Sequence, residues 1–453
     1  MDKALHGPGT EIVDPSTGEI YDFQPDSTNG EVDATFATFA AAHDGWRNWR
    51  ETTPAERHTA LLGFVDAVES ESDQLIEIEQ RNTGKTREQA GDELAGALDE
   101  MRFMAGAQRA LQGPLAGRYV TGTASMASRE PLGVCAQILP WNYPLASAIS
   151  KLAPALAMGN TSVLKPAAPT PCSVRALLEI AHETPPAGVV NAVFGGRETG
   201  EYMVSHHIPA LISLTGSVRA GQEIARAAGL KVLHLELGGN CPVLVLKDVD
   251  VEAVAREITE AALYNAGQDC TAATRLIVAA EVAHEFTAAL TREFMATQTV
   301  PLATPEHLAR VTGLLARLPK TAQVECGGRR AEVPGLYVEP TVVTKVAQLD
   351  EIVADEIFGP VVTVQQFTDV DEAVALANGT EYGLAASIWT RDHSSAVTLS
   401  QRIDAGTVWI NTHGVYATEM PFGGFKSSGY GKDLSPVALE NYSRIKHIMT
   451  GSL

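Results

Sequence analysis

The sequence predicts an α/β protein built on parallel sheets and divided into two or three domains. Three observations predict it. Between residues 133 and 240, short apolar runs alternate with helical stretches, the pattern of strand–crossover–strand units. A second block of the same kind runs from PVLVL at 242–246 to about residue 427. The chain has 453 residues, 45% of them hydrophobic, which is enough for a large core and too long for one ordinary domain.

The elements follow in order. Residues 31–112 read as helical, because Val32, Phe36, Phe39 and Ala40 keep helical spacing, as do Leu61, Leu62, Phe64, Val65 and Val68. Pro54, after Thr52 and Thr53, opens the second of these helices. RYVTGTASMASREP, from 118, is β-like but carries no core signal, so it is expected to be an arm. VCAQIL, TSVLK, VVNAVFG, LISLTG and KVLHLEL read as strands, with helices near 144–158, 171–184, 197–206 and 217–228. The last twenty residues read as another arm, and no internal repeat or low-complexity tract interrupts the chain.

Composition excludes several classes. With 34 Lys+Arg against 55 Asp+Glu, the formal net charge is −21, which repels nucleic acid and anionic membranes. Cys135, Cys172, Cys241, Cys270 and Cys326 are odd in number, widely spaced and lack a CxxC pair. Neither a disulfide framework nor a metal site is expected; a reducing, cytoplasmic setting fits. HETPP at 182–186 lacks the second histidine of a zinc motif. No signal peptide and no membrane span is expected, because no apolar run is long enough. The sequons at Asn160, Asn378 and Asn441 then carry no meaning.

Seven short motifs stand out, each with an ordinary alternative. In LPWNYPL (139–145), Asn142 sits between a strand and a helix; it is either an oxyanion donor or an N-cap. In TSVLKPAAPTP (161–171), Lys165 ends a strand, where a doubly wound sheet presents ligand-binding groups or merely a solvated lysine. In SLTGSVRAG (213–221), Gly216 and Gly221 are five apart in a strand–turn–helix that holds a phosphate or simply turns. In HLELGG (234–239), Glu236 lies inside an apolar strand, so it is structurally satisfied or has a raised pKa and a task. YNAGQDCTAATR (264–275) puts Cys270 among small and polar residues, unlike the apolar neighbours of a structural cysteine. EIFGPVV (356–362) and EMPFGGFKSSGYGKD (419–433) complete the set.

Taken in this order along nearly the whole chain, these motifs resemble the aldehyde dehydrogenase superfamily. YNAGQDCTAATR, VWINTH and EMPFGG are similar to its γ-aminobutyraldehyde (aminoaldehyde) branch. The resemblance implies a Rossmann-like NAD-binding domain (1–117 and 133–240) and an α/β catalytic domain (241–427). A small β oligomerisation arm with the C-terminal tail (118–132 and 428–453) would build a homodimer or homotetramer. It implies that Cys270 attacks the aldehyde, that Asn142 and the Cys270 N–H hold the oxyanion, and that Glu236 activates the water that hydrolyses the thioester. Cys270 is expected to need an electropositive setting, since a free thiol is only a few per cent ionised near neutrality.

NAD would lie along Leu139, Pro140, Trp141 and Asn142, and along Lys165, Pro166, Ala167 and Ala168. Thr215, Gly216 and Ser217 would approach its pyrophosphate, and Gly196 and Gly200 its adenine. Glu236, Leu237 and Gly238, with Glu356 and Phe358, would surround the nicotinamide end. Tyr143, Tyr264, Asp269, Thr271, His413, Glu419 and Phe422 are the expected substrate residues. Asp92 and Glu93 are further candidates, for which a solvated surface is the favoured reading.

Three departures matter. Ala168 stands where many NAD-preferring relatives carry a glutamate, so NADP is tolerable. Ser150 stands where aminoaldehyde and betaine-aldehyde relatives often carry a tryptophan, which favours a primary amine such as 4-aminobutanal or 3-aminopropanal over a trimethylammonium group. The 296–327 segment is short for the family. Betaine aldehyde, succinate semialdehyde and aliphatic aldehydes are the alternative substrates; a CoA-acylating enzyme and a silent dinucleotide-binding protein are disfavoured by the presence of Glu236, Asn142 and Cys270.

Overall fold

The computed structural model describes residues 7–44, 49–111, 116–184 and 187–451. A six-stranded sheet has the order Gly429–Tyr430, Val232–Leu237, Leu211–Gly216, Val134–Ile138, Thr161–Lys165, Val190–Ala192, and only its short first strand is antiparallel. The chain order reverses between Val134–Ile138 and Leu211–Gly216, so a crevice opens beyond the carboxyl ends of those two strands. A seven-stranded sheet, Gln323–Cys326, Thr341–Thr344, Val361–Phe367, Ala273–Ala279, Cys241–Val245, Ala385–Trp389, Thr407–Ile410, is parallel except at its first strand. Its central strands are buried along their whole length, which is why they read as continuous apolar runs.

The helical region becomes Asn29–Asp44, Pro54–Ser70, Ser72–Thr83 and Arg87–Ala110. Two of these helices start at capping boxes: Thr53 with Glu56, and Thr86 with Gln89. Gly84, at φ 81°, ends the third helix in a left-handed turn, and a β-carbon there would lie 2.4 Å from the Pro301 ring. That turn drives Lys85 into the interior rather than to solvent, with 3% exposure. The helix Arg87–Ala110 packs along Pro144–Ala157, and their apolar faces share one core with Leu94, Leu98, Met101, Ala148, Ile149 and Leu152.

The arm is a three-stranded sheet, Ser443–Gly451, Thr123–Pro131, Ala116–Gly117, paired over nine residues between the first two strands. Two expected boundaries need correction. Ala116–Gly117 pairs with the arm, not with the dinucleotide sheet. The tail from 428 is not all arm: Gly429–Tyr430 adds a strand to the six-stranded sheet beside Glu236, and Ser435–Asn441 packs on the helices Arg87–Ala110 and Pro144–Ala157. Buried Ala438, Leu439 and Tyr442 anchor that helix, a contact whose side-chain spacing is too short to read in sequence. The strand expected over VVNAVFG is confined to Val190–Ala192.

Candidate functional site

Between the two large sheets runs a cleft of about 1400 Å³. It collects Cys270, Asn142, Glu236, Glu356, Phe358, Lys165, Thr215, Gly216 and Ser217 on its walls. These residues are spread over more than 200 positions of sequence: Lys165, Thr215, Gly216 and Glu236 sit at strand ends, Asn142 and Ser217 just before helices, and Cys270, Glu356 and Phe358 in loops between elements.

Cys270 follows a turn of unusual backbone. After the helix Val251–Leu263, Asn265 (φ 47°), Ala266 (φ 54°) and Gly267 (φ 69°) are all left-handed. Such residues persist only when their surroundings over-determine them. Here the Asn265 side-chain amide donates to the carbonyls of Gln268 (3.2 Å) and Asn142 (3.4 Å). The Gln268 amide donates to the carbonyls of Asn265 (2.9 Å) and Pro301 (3.2 Å), and its oxygen accepts from Ala303 N–H (2.8 Å). A β-carbon on Gly267 would lie 2.2 Å from the Gly359 carbonyl, so only glycine fits. The polar residues before the cysteine therefore lock the loop; Gln268 is fully buried and does not face the cleft.

Asn142 is not an N-cap. Tyr143 holds that position, without a side-chain cap, and Asn142 instead donates its amide to the Gln268 carbonyl (3.0 Å). One amide hydrogen is thus fixed to the nucleophile loop and the group lines the cleft. The Cys270 backbone is held from the other side by Gly239, where a β-carbon would lie 2.1 Å from the Cys270 carbonyl.

The expected electropositive setting of Cys270 is corrected by the structure. Desolvation, followed by the charges of Glu236 and Asp269, pushes its thiol well above the ordinary range. The Cys270 thiol neighbours the Glu236 carboxyl and acts against burial to lower its pKa, so the thiol proton has an acceptor nearby. Glu236 is 5% exposed, and its Oε1 has no partner. Burial, then the Asp433 charge, raises it to about 8, while Lys151 acts in the opposite direction. Buried Lys151 donates to Ser213 Oγ (3.0 Å), and Asp433 approaches His234 Nε2 (3.3 Å).

At the other end of the cleft, Lys165 is 6% exposed, not a solvated loop lysine. Burial lowers it to about 8, against the Asp26 charge, and its ammonium donates to the Pro166 carbonyl (3.1 Å). Ser217 caps the helix Val218–Ala227 by accepting from Ala220 N–H (3.2 Å). Gly221 lets that helix settle on the sheet, since a β-carbon there would lie 2.4 Å from the Leu237 side chain. Glu356 accepts from Gly239 N–H (2.8 Å), and its carboxyl, raised to about 7 chiefly by burial, sits where a β-carbon on Gly238 would collide (2.5 Å). Arg310 holds this loop by donating to the carbonyls of Ile357 (2.5 Å) and Glu356. Phe358, left-handed at φ 59°, packs edge-on against Trp141 at 5.3 Å, and His307 Nε2 lies 2.5 Å from its carbonyl.

The substrate candidates gather beyond Cys270, with one exception. Tyr143 Oη donates to Asp269 Oδ2 (2.5 Å), and Asp269 Oδ1 accepts from Thr271 N–H and Oγ1 (both 2.6 Å). Both Asp269 oxygens are thus engaged, so it shapes the loop rather than offering a free carboxylate. His413 Nε2 donates to the Thr271 carbonyl (2.6 Å), and its Nδ1 lies 2.9 Å from Ser387 Oγ. Phe422 stacks edge-on against Tyr416 at 5.3 Å, and the Tyr416 hydroxyl meets Thr271 Oγ1 (2.7 Å). Glu419 is the exception: it is exposed and off the cleft wall.

Other expected residues also miss the wall. Pro166, Ala168, Gly196 and Gly200 do not line the cleft, whereas Leu139, Pro140, Trp141, Ala167, Leu237 and Gly238 do. Gly200 acts at one remove, because a β-carbon there would press on Lys165 Cε at 3.3 Å. Gly196 caps the helix Arg197–Ser205 without crowding anything. Glu93, read as solvated, is instead an ion-pair partner of fully buried Lys85, with Glu79 at 3.7 Å on the other side. Lys85 also lies 4.1 Å over the Tyr143 ring, and burial, then the Glu93 charge, raises the Tyr264 hydroxyl. The sequence reading missed Lys85, Glu79, Lys151, Glu100, Asp433 and Tyr416. Lys85 and Glu79 had one usable signal, a charge on each side of the Gly84 helix stop.

Comparisons with known proteins show the family to which the chain belongs. A family model described as "Aldehyde dehydrogenase family" matches residues 4–448. A betaine aldehyde dehydrogenase of Bacillus subtilis is 36% identical over 443 residues, covering 93% of this chain and 90% of that protein. A phenylacetaldehyde dehydrogenase of Pseudomonas fluorescens is 36% identical over 474 residues, covering 99% and 93%. The crystal structure of a betaine aldehyde dehydrogenase from Staphylococcus aureus in complex with NAD+ superposes with a TM-score of 0.95 at 30% identity, covering 99% of this chain and 95% of that one.

Proposed function

The chain belongs to the aldehyde dehydrogenase family and oxidises aldehydes with NAD, and on this premise we propose that its substrate is a small aldehyde carrying a cationic amino group, such as 4-aminobutanal. One observation carries the reading. The helices Arg87–Ala110 and Val251–Leu263 present Asp92, Asp99, Glu257 and Glu260 to the cleft, beside the Lys85-paired Glu93 and the buried Glu100, and contribute no lysine or arginine to it. A wall of one sign raises the local concentration of the opposite charge and discriminates against anions such as succinate semialdehyde.

The residues present fit NAD. The cleft passes the switch point of the six-stranded sheet, with Gly216 and the Ser217-capped helix start at one strand end and Leu139–Asn142 at the next. Glu236 Oε1 is a buried polar atom without a partner at the same place. Lys165 and Glu356 would hold the ribose hydroxyls, and Trp141 with Phe358 would bound the ring end. When bound, the nicotinamide accepts a hydride from the substrate carbon.

The chain's own residues do the rest. Cys270 passes its proton to the Glu236 carboxylate as sulfur attacks the carbonyl carbon. The oxyanion is held by the free hydrogen of the Asn142 amide and by the Cys270 N–H, each donor of this kind being worth roughly 3 kcal/mol. Hydride loss leaves a thioester on Cys270. Glu236 releases the Cys270 proton to solvent; as a carboxylate it then takes a proton from the water that attacks the thioester and returns it to the departing Cys270 sulfur, releasing the carboxylic acid and regenerating the thiol.

Assaying a panel of aldehydes by NADH formation tests the substrate. 4-Aminobutanal is expected to exceed pentanal in kcat/KM, and a higher value for the neutral chain overturns the reading. The same panel run with NADP tests Ala168, which carries no carboxylate to repel a 2′-phosphate. Measurable NADP turnover, below that with NAD, is expected.

We assign the arm sheet to subunit pairing into a homodimer or homotetramer. Its strands expose Met126, Ile445 and Met449, an apolar surface on an otherwise acidic chain. Sedimentation as a 48.1 kDa monomer at assay concentration counts against this.

A further inference from the structure

Glu100 plays no part in the chemistry above, yet it is one of the most completely buried carboxylates in the molecule. It lies on the helix Arg87–Ala110 with 4% exposure and borders the same cleft as Cys270. The Ser150 hydroxyl, on the facing helix Pro144–Ala157, lines the cleft beside the Glu100 carboxyl and acts to lower its pKa against burial. Glu100 Oε1 has no partner. Among the described residues, no cationic side chain forms an ion pair with Glu100. Lys151, whose charge it feels, spends its ammonium on Ser213 Oγ at 3.0 Å. A buried carboxylate with a free lone pair costs stability unless a donor arrives to occupy it.

The walls around it show where such a donor comes from. Tyr143, Ser147 and Ser150 line one wall at helical spacing, and Gly96, Asp99 and Glu100 line the other. Ser150 is small, so the cleft is open at this height, and Gly96 opposite has nothing within 4 Å of its β-position.

We propose that Glu100 and Ser150 form a polar subsite that takes the ammonium group of the substrate, making Glu100 a specificity-determining residue. The inference rests on the cationic-aldehyde reading above. Its ligand class is a primary ammonium on a short alkyl chain, whose N–H groups reach both Glu100 Oε1 and the Ser150 oxygen.

The test compares wild type with Glu100→Gln and Ser150→Ala, using 4-aminobutanal, pentanal and the unreactive butylammonium ion. Glu100→Gln keeps volume and removes the carboxylate that an arriving ammonium would hold ionised. It is expected to lower kcat/KM for 4-aminobutanal by roughly ten- to a hundred-fold, the worth of one charge-assisted hydrogen bond, while pentanal changes by less than about three-fold. Ser150→Ala is expected to shift the same ratio in the same direction by a smaller factor. Butylammonium is expected to inhibit wild type competitively against pentanal and to lose that inhibition in Glu100→Gln. A merely structural role would lower both substrates together, and that result overturns the proposal, as does butylammonium inhibition that survives the substitution. If wild type shows no preference for 4-aminobutanal but butylammonium binds through Glu100, the subsite stands and the substrate reading falls. If the preference exists and survives Glu100→Gln, the substrate reading stands and the subsite falls.

Discussion

Cys270→Ala is expected to lower aldehyde-dependent NADH formation by roughly 10⁴-fold or more while leaving NAD affinity within about three-fold of wild type. The asymmetry follows from where the residue sits. Cys270 lies at the end of a locked turn, its carbonyl against Gly239 and its thiol against Glu236, while the strand ends that offer Gly216, Ser217 and Lys165 are set by the six-stranded sheet. Removing one sulfur deletes the nucleophile and leaves that sheet untouched. Calorimetric titration with NAD, beside a steady-state assay, separates the two quantities. Turnover that survives the substitution would overturn the assignment of Cys270 as nucleophile.

Glu236→Gln is expected to slow both acylation and hydrolysis. The variant keeps the side-chain volume but can take a proton neither from Cys270 nor from water. Its steady-state kcat is expected to fall by about 10²- to 10⁴-fold, the usual worth of a general base. Rapid mixing is expected to show NADH forming slowly from the first turnover, without a burst, because the variant also lacks the base that takes the Cys270 proton. The wild-type pH profile has a definite sign. Burial raises Glu236 to about 8, so the carboxyl is mostly protonated at neutral pH and becomes a competent base as pH rises through that value. Wild-type kcat should therefore climb between about pH 7 and 9, and the variant should lose that limb. A variant with unchanged kcat, or a wild-type rate that declines over this interval, removes Glu236 from the hydrolytic step.

The structure changes the electrostatic picture of the nucleophile. A thiol among Glu236, Asp269 and Glu356 is held protonated, not pre-ionised. The thiolate must then arise on demand, by transfer to the neighbouring Glu236 carboxylate. The acid that raises the thiol pKa is thus also the base that accepts its proton.

How much was legible in the sequence depended on whether a residue's environment was local. The alternation of apolar runs and helices set the α/β class, because strand and helix periodicities are properties of a few consecutive residues. Cys270, Glu236, Asn142 and Lys165 could be singled out because each breaks the chemistry of its own neighbourhood: a thiol among polar groups, or a charge inside or at the end of an apolar strand. Their convergence on one cleft is tertiary, fixed by strand order and by a loop whose lock involves Asn142, Pro301 and Ala303. The state of charges was the least legible property. Glu93 reads as solvated and proves buried against Lys85; Glu100 looks like one more acid on an acidic helix and proves enclosed; Glu419 reads as a site residue and proves exposed. A charge's meaning depends on which other chain segments exclude water from it, and no window of sequence contains those segments. The sequence by itself determined the layers, the strand ends and the reacting groups; only the tertiary structure decided which carboxylates lose their water, and with it which can act as a base, hold a loop or await a cation.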